Sequence, residues 1–419
     1  MRLLALMQLA AFASAAVLRA ARSLRSDNEG VLAADEGAPA AAALARAWEH
    51  PGVLLSSAQL SYLRKAISSK TEPFVSAHAD VSKTRFAKLS YKTLGPPPSG
   101  TIECGEGDNP NRGCSEEDQD AVAAYTHALL FALDGDVEHA LAAARIMNAY
   151  AGLKGYIGFN APLRAAWSAS KWTRAAELVV HADGGGADVW PLDKANAFRA
   201  MLRREALPLI INETNSNGNW ALSMIEGMMG IAVLTEDASL LARAADFWRT
   251  RVPAYVYVAA DGPEGNPRPY RKGGQGPSNG NGWYGQETFN KAVEGISQET
   301  CRDMEHTQMG LAAALNAAET ARIQGLDLFE EEAPRLVAGL EFHAKLLNGA
   351  TPSASVCGGS VNDADSVYPT FELGYTRLRK LTSNPMRETR KLIKETVREL
   401  PKKYNGWMMV WETLTHATP

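Results

Sequence analysis

Hydrophobic residues recur at spacings of three and four along most of the chain after residue 50. In residues 118–133, Val122, Tyr125 and Leu129 fall on one helical face, and Gly135 and Asp136 follow as a turn signal. Residues 137–152 repeat the same spacing. The pattern therefore predicts a helical hairpin.

Further helices are predicted at residues 164–181, 190–206, 219–234, 237–251, 303–324, 328–348 and 386–399. Alternation typical of strands is scarce, and residues 252–258 are its best short example. About ten antiparallel helices without a block of strands favour an all-α fold. We predict an incomplete (α/α) toroid of helical hairpins, with an irregular α-solenoid as the alternative.

One long segment breaks this pattern. Residues 261–286 are rich in glycine, proline and asparagine and carry no helical spacing. A loop of this length inside a compact domain is uncommon and usually functional. We interpret the segment as a flap over a cleft.

The first residues predict export. Arg2 precedes an apolar run over residues 3–12, and Ala13 to Ala15 form a small-residue cleavage pattern. The run is too short to span a bilayer. We therefore expect a signal peptide at 1–15, a disordered leader at 16–47, and one domain at 48–419 of a secreted protein (periplasmic if bacterial).

Composition and charge exclude some partners. The chain is 46% hydrophobic and 21% charged, with a formal net charge of −4. Such a balance gives no reason to expect a nucleic acid or an anionic membrane as partner.

Four cysteines are present, and an even number in an exported chain favours two disulfides, with three possible connectivities. Cys104 and Cys114 bracket a turn-rich loop that a local bridge would fix. Cys301 would then pair with Cys357. None has the CxxC spacing of a zinc site, so no metal is expected.

The first candidate motif is the segment NSNGNW at residues 215–220, which precedes an apolar helix. The amides of Asn217 and Asn219 would lie near unpaired backbone N–H groups, where a carboxylate can bind. Simple helix capping is the alternative. Asn212 begins the one glycosylation sequon nearby.

The second motif spans residues 298–308, in which Arg302 and His306 lie four apart and share a helical face. Arginine presents a planar fork to a carboxylate, and histidine carries protons near neutral pH. Glu299, Asp303 and Glu305 lie in the same segment. A surface salt-bridge cluster is the alternative interpretation.

Aromatic rings stack on sugar faces, although core packing is the commoner use of any single ring. Trp167, Trp220 and Trp283 are candidate substrate contacts, together with Gln286. Trp283 and Tyr284 follow a loop rich in glycine and asparagine, so we expect them outside the core.

Six segments occur in a fixed order, at residues 50–54, 120–125, 163–167, 217–220, 302–308 and 324–328. Together they resemble the alginate-lyase-domain family of polysaccharide lyases over about residues 48–416. The cysteine pairs and residues 283–286 are similar to a eukaryotic-type branch. The resemblance implies an incomplete α/α toroid that cleaves uronate polymers, such as alginate or glucuronan, by β-elimination without a cofactor.

The resemblance also implies site residues. Elimination needs a neutralised uronate carboxylate, a base at C5 and an acid at the leaving oxygen O4. Asn219, helped by Asn217, would neutralise the carboxylate, and Arg302 would bind it. His306 is the candidate base, and Tyr284 is the candidate acid or serves in both roles.

The chain departs from the better-known alginate lyases, which carry Asn-Asn-His where Trp220 completes the motif here. His306 lies in the region of their tyrosine, so the roles of base and acid stay open. One alternative is an α/α-toroid glycoside hydrolase, which needs two carboxylates about 5–10 Å apart. Glu299, Asp303 and Glu305 are its candidates. A non-catalytic glycan-binding protein is another alternative.

Overall fold

The computed structural model describes residues 47–211, 218–263, 283–400, 407 and 410–419. Most of them are helical, which confirms the predicted all-α fold. The helices are α1 (Ser57–Ser68), α2 (Phe74–Lys83), α3 (Cys114–Asp134), α4 (Val137–Tyr150), α5 (Ala161–His181), α6 (Leu192–Met201), α7 (Leu207–Ile210), α8 (Gly218–Leu234), α9 (Ala238–Tyr255), α10 (Met304–Ile323), α11 (Leu328–Leu347), α12 (Thr370–Leu378), α13 (Arg387–Leu392) and α14 (Glu412–His416). Short π-helical segments, Leu202–Ala206 and Ile393–Val397, extend α6 and α13.

The helices pack in two layers. Helices α3, α5, α8, α10 and α12 pack side by side in this order, whereas α4, α9 and α11 pack against α3, α8 and α10 respectively. Two glycines let α8 approach α5 closely, since a Cβ on Gly230 would lie 2.3 Å from Thr173 Oγ1, and one on Gly227 would lie 3.3 Å from Ala166 O. The closure of this row of helices into a toroid stays a prediction.

A three-stranded sheet, which the sequence did not predict, precedes α3 and α5. Its strands are β1 (Thr101–Glu106), β2 (Asn109–Arg112) and β3 (Gly155–Ile157), in the order β2-β1-β3. Strands β1 and β2 are antiparallel, and Gly107 and Asp108 between them both adopt positive φ, as a two-residue hairpin turn requires. The expected Cys104–Cys114 disulfide joins this hairpin to the start of α3.

The predicted helices are found, but some boundaries differ. Helix α9 continues through Tyr255, so the alternation in residues 252–258 does not mark a strand; only Val256 makes an isolated bridge, to Ser297. Helices α2, α12 and α14 were missed because each is short, and a short helix shows few repeats of an apolar spacing.

Several predictions lie outside the described residues: the signal peptide and nearly all of the leader, Asn212, Asn217 and most of the proposed flap. All described residues belong to one compact unit that extends to Pro419. None of the helices described is long and apolar enough to cross a membrane.

Candidate functional site

The site begins where the first turn of α8 meets the loop that precedes α10. The backbone N–H of Gly218 donates to Gln298 Oε1 at 3.1 Å, and that of Asn219 donates to Glu299 Oε2 at 2.9 Å. The first N–H groups of a helix have no partner within it. Two neighbouring side chains, 80 residues further along the chain, therefore accept hydrogen bonds from the first two backbone N–H groups of α8.

Glycine is required at this contact. Gly218 has a φ of +57°, and a Cβ there would lie 2.8 Å from the carboxyl carbon of Glu299. A side chain would meet both strain in the backbone and a clash with Glu299. The motif at the start of α8 therefore lets a carboxylate approach the helix end closely.

Glu299 forms the buried part of the site. Its oxygens also accept from Asn219 Nδ2 at 2.6 Å, from the Tyr255 hydroxyl at 3.1 Å and from Arg302 at 3.2 Å. Burial raises the pKa of Glu299, although the neighbouring His306 and Arg302 act in the opposite direction. We call Asn219, Tyr255 and Glu299, which are at most 3% exposed, the Glu299 floor.

The accessible part of the site lies at the start of α10. Asp303 caps the helix by accepting the backbone N–H of His306 at 2.7 Å, and its two oxygens lie 2.8 and 2.7 Å from His306 Nδ1. Burial works to raise the pKa of Asp303, but the hydrogen bonds from His306 hold it below its ordinary value.

A carboxylate only accepts hydrogen bonds, so Nδ1 of His306 carries a hydrogen, and in the neutral imidazole Nε2 then presents a lone pair. The side chains of His306 and Arg302 are 26% and 34% exposed. We call Arg302, Asp303 and His306 the His306 rim.

Tyr284 lies beside this rim. The guanidinium carbon of Arg302 is 5.5 Å from the centroid of the Tyr284 ring, a cation–π distance. The backbone N–H of Tyr284 donates to Gln298 O at 3.0 Å, which ties the tyrosine to the loop that carries Glu299. Tyr284 thus lies beside Arg302, and Asp303 contacts both Arg302 and His306.

The segment that carries the rim is anchored on both sides. The expected Cys301–Cys357 disulfide is formed directly before Arg302. Asn362 Nδ2 donates to Arg302 O at 3.0 Å, and Met304 N donates to Asn362 O at 3.0 Å. The bridge and the Asn362 contacts therefore hold the start of α10 against the 357–362 loop.

Aromatic side chains gather at the same ends of the helices. Trp220, half-buried at the start of α8, meets the ring of Phe159 edge-on at 5.9 Å just before α5. Tyr368, before α12, packs edge-on against Trp407 at 5.1 Å. Phe159, Tyr368 and Trp407 were missed in the sequence because each is an isolated aromatic without a motif.

These contacts show that α5, α8, α10 and α12 all begin around the site. Phe159 and Trp220 join the starts of α5 and α8, and Tyr368 N donates to Gln308 Oε1 at 3.0 Å between α12 and α10. Helix N-termini carry partial positive charge and favour anions. Glu299 and Asp303 already occupy the starts of α8 and α10, and Arg302, 34% exposed, is a cation at these helix ends that a ligand can reach.

Two predicted sugar contacts are wrong. Trp167 is 6% exposed and donates to Ser223 Oγ at 3.2 Å, and Trp283 is 2% exposed against Phe289, with ring centroids 4.7 Å apart. A ring that is covered on both faces cannot stack on a sugar. The loop composition before Trp283 misled the prediction, because the chain re-enters a small hydrophobic cluster at that residue.

Gln286 is also structural rather than ligand-binding. Its Nε2 donates to Thr288 O and Ser355 O at 2.8 and 2.9 Å, and its Oε1 accepts from Cys357 N at 3.0 Å. All its polar groups are therefore used to join two loops.

Asn219 has no exposed surface, and its amide nitrogen donates to Glu299. Its Oδ1 has no hydrogen-bond partner among the described residues. The direct contact expected between Asn219 and a substrate carboxylate is therefore corrected to a contact with the carboxylate of Glu299.

Comparison with models of known protein families finds no match, and a search of curated proteins finds no similar sequence. The arrangement itself combines a histidine oriented by Asp303, a neighbouring guanidinium and a buried carboxyl with a raised pKa.

Proposed function

We propose that this chain is a secreted polysaccharide lyase that cleaves a uronate-containing polymer by β-elimination. The observation that carries the proposal is the pair of Asp303 and His306 beside Arg302. Asp303 holds the ring of His306 and lies 3.7 Å from Arg302 on an accessible rim, which supports a base beside a carboxylate-binding group.

The reaction needs these two groups together. The C5 hydrogen of a uronate lies next to a carboxylate and is only weakly acidic, so the charge that develops on deprotonation must be stabilised. Arg302 would bind the carboxylate through its planar fork. His306 Nε2 would take the C5 proton while Asp303 holds the ring in the required tautomer.

The electron pair of the C5–H bond then forms the C4=C5 double bond, and the C4–O4 bond breaks. The leaving O4 takes a proton either from the Tyr284 hydroxyl or from His306 Nε2, which has just gained one. Tyr284 is supported by its position beside Arg302. His306 would serve as both base and acid if the tyrosine only shapes the site.

Asn219 and Glu299 act indirectly in this proposal. They hold the start of α8 and the side chain of Arg302 in place through the hydrogen bonds of the floor. The half-buried Trp220 and the exposed Phe159 offer rings on which neighbouring sugars of the polymer can stack.

The geometry gives less support to the hydrolase alternative. A hydrolase needs one carboxyl as acid and another as base or nucleophile. Glu299 is buried and accepts four hydrogen bonds, and Asp303 is paired with His306.

Two disulfides are typical of proteins in oxidising compartments, which supports secretion and an extracellular polymer as substrate.

The proposal is tested by incubating the full chain with alginate, with glucuronan and with a carboxyl-reduced form of each polymer. We expect ultraviolet absorbance from the C4=C5 bond with at least one uronate polymer. The carboxyl-reduced polymers should give none, because they offer Arg302 no charge and leave the C5 hydrogen unactivated.

New reducing ends without absorbance from a double bond would mean hydrolysis and would refute the lyase mechanism. Binding of the polymers without any cleavage would favour the non-catalytic alternative. Cleavage of the carboxyl-reduced polymers would remove the role given to Arg302.

A further inference from the structure

A second histidine and carboxylate cluster lies at the other end of the helices. His181 and Glu177 are in the last two turns of α5, His50 precedes α1, and Glu236 lies in the turn directly after α8. Asn219 and Glu236 lie at opposite ends of α8, roughly 25 Å apart along its axis. The cluster is therefore separate from the site proposed for catalysis.

Glu177 is the centre of the cluster. Its side chain is fully buried, and its Oε2 accepts the backbone N–H of Gly52 at 2.9 Å and lies 2.8 Å from His50 Nδ1. Its Oε1 has no hydrogen-bond partner in the described part of the chain and lies 3.9 Å from His181 Nε2. A buried carboxylate oxygen without a partner is costly.

The two imidazoles are arranged around this carboxylate. The rings of His50 and His181 stack with centroids 4.1 Å apart and planes 13° apart. One ligand atom from each of His50, Glu177 and His181 lies within 4.8 Å of the other two. His50 Nε2 is 3.5 Å from Glu236 Oε1, so a carboxylate faces the ring nitrogen remote from Glu177.

We propose that His50 Nδ1, the Glu177 carboxylate and His181 Nε2 bind a divalent transition-metal ion, for which Zn²⁺ is the first candidate. Two histidines and a carboxylate form a common three-ligand set for zinc, with a fourth position for water. Glu236 would accept the Nε2–H of His50 and fix its tautomer, as carboxylates behind metal-bound histidines do.

The observed spacing is close to what an ion needs. Ligand atoms around tetrahedral zinc lie about 3.3 Å apart, so His50 Nδ1 and Glu177 must separate by about 0.5 Å and His181 Nε2 must approach Glu177 by about 0.6 Å. The two stacked imidazoles must also turn out of their parallel arrangement, because the lone pair of each ring lies in its own plane. The side chains of His50 and His181 are 15% and 28% exposed, which leaves a path for the ion and room for this adjustment.

The sequence predicted no metal, because none of its cysteines has the CxxC spacing of a zinc site. Here the ligands come from segments 127 residues apart, and only the four-residue spacing of Glu177 and His181 is local. An ion would tie the segment before α1 to the end of α5. Without an ion, the same atoms form an ion pair between His50 and Glu177.

The test uses the full chain after treatment with a chelator and dialysis. Titration with Zn²⁺, followed by calorimetry and by metal analysis of the desalted protein, should give one ion per chain. The thermal midpoint should rise with Zn²⁺ concentration, since the ion binds the folded chain. His181→Ala should abolish both effects.

His78→Ala is the matched control, because His78 also contacts a carboxylate, Asp134, at 2.9 Å, but belongs to no three-ligand group among the residues described. It should bind Zn²⁺ as the unaltered chain does. Glu236→Gln, at an exposed position, should weaken binding by about 10- to 100-fold without threatening the fold.

Equal zinc binding by the unaltered chain and His181→Ala, or none by either, would overturn the proposal. If His181→Ala does not fold, an unchanged affinity of Glu236→Gln together with no tetrahedral absorption spectrum from bound Co²⁺ would overturn it as well. These readouts do not involve the proposed lyase activity.

Discussion

Glu299, at the centre of the floor, and the three residues of the His306 rim lie in one short segment, yet the pKa values of their carboxyl groups shift in opposite directions. Glu299 is buried and its pKa is raised, whereas Asp303, four residues later, has a lowered pKa. The donors to Glu299 include Asn219 and Tyr255, 80 and 44 residues away, whereas Asp303 is paired with His306 three residues on.

This difference suggests that the floor contributes mainly to stability and that the rim contributes mainly to the proposed reaction. The floor joins α8, α9 and the loop before α10, so its loss should disturb packing in three elements. The rim is a local pair at one helix end with an accessible histidine nitrogen, so its loss should change reactivity with little effect on the fold.

The largest effect is expected at the rim. His306→Ala removes the proposed base and should lower kcat by about 10²–10⁴-fold, as measured by the ultraviolet absorbance of unsaturated products. The neighbouring Glu305→Ala is the matched control and should keep most activity. A similar loss in both variants would remove the distinction between His306 and the rest of the helix start.

Next in size is the disulfide that anchors both regions. Replacement of Cys301 and Cys357 by serine opens a loop of 56 residues and should lower the free energy of unfolding by about 4 kcal/mol in urea titrations. The same change at Cys104 and Cys114 opens a loop of 10 residues and should cost about 3 kcal/mol. A reversed order would show that strain or residual structure outweighs loop entropy.

A smaller effect is expected at the floor. Asn219→Ala removes a donor to buried Glu299 and should lower the free energy of unfolding by about 1–3 kcal/mol. Asn316→Ala is matched to it, because buried Asn316 donates to buried Glu226 in the same way. A large fall in kcat for Asn219→Ala with unchanged stability would instead restore Asn219 as a direct neutraliser of the substrate.

The smallest effects concern pH. The folded-state pKa of Glu299 lies above its ordinary 4.5, so its contribution to stability is present below pH 4.5 and is lost as pH rises through the folded pKa. The folded-state pKa of Asp303 lies below 3.8, so its contribution is present above pH 3.8 and is lost as pH falls through the folded pKa.

The free energy of unfolding, measured in urea over a pH series, should therefore respond in different pH ranges for two variants that each replace a carboxyl group by an amide. Glu299→Gln should reduce the loss of stability above pH 4.5, and Asp303→Asn should reduce the loss below pH 3.8. If both variants changed the slope of the free energy of unfolding against pH in the same range, the carboxyl groups of the floor and the rim would titrate as one unit.

Much of the fold was readable in the sequence because it rests on local rules. The apolar spacing in residues 118–133 and 137–152 predicted the hairpin of α3 and α4, and the even cysteine count led to both disulfide pairs. The helical face predicted for Arg302 and His306 is wrong, because α10 begins at Met304 with Asp303 as its cap and Arg302 lies before the helix.

Tertiary structure alone decided which side chains are accessible. Asn219 and Trp283 have sequence surroundings typical of a binding loop, but Glu299 covers Asn219, and Trp283 lies in a cluster with the distant Tyr257 and Val356. The pairing of Glu177 with His50 likewise depends on where the segment before α1 crosses the end of α5. Local spacing determines which residues share a face of a helix. Burial depends on which distant segment packs against that face, and the spacing within one segment does not specify that partner.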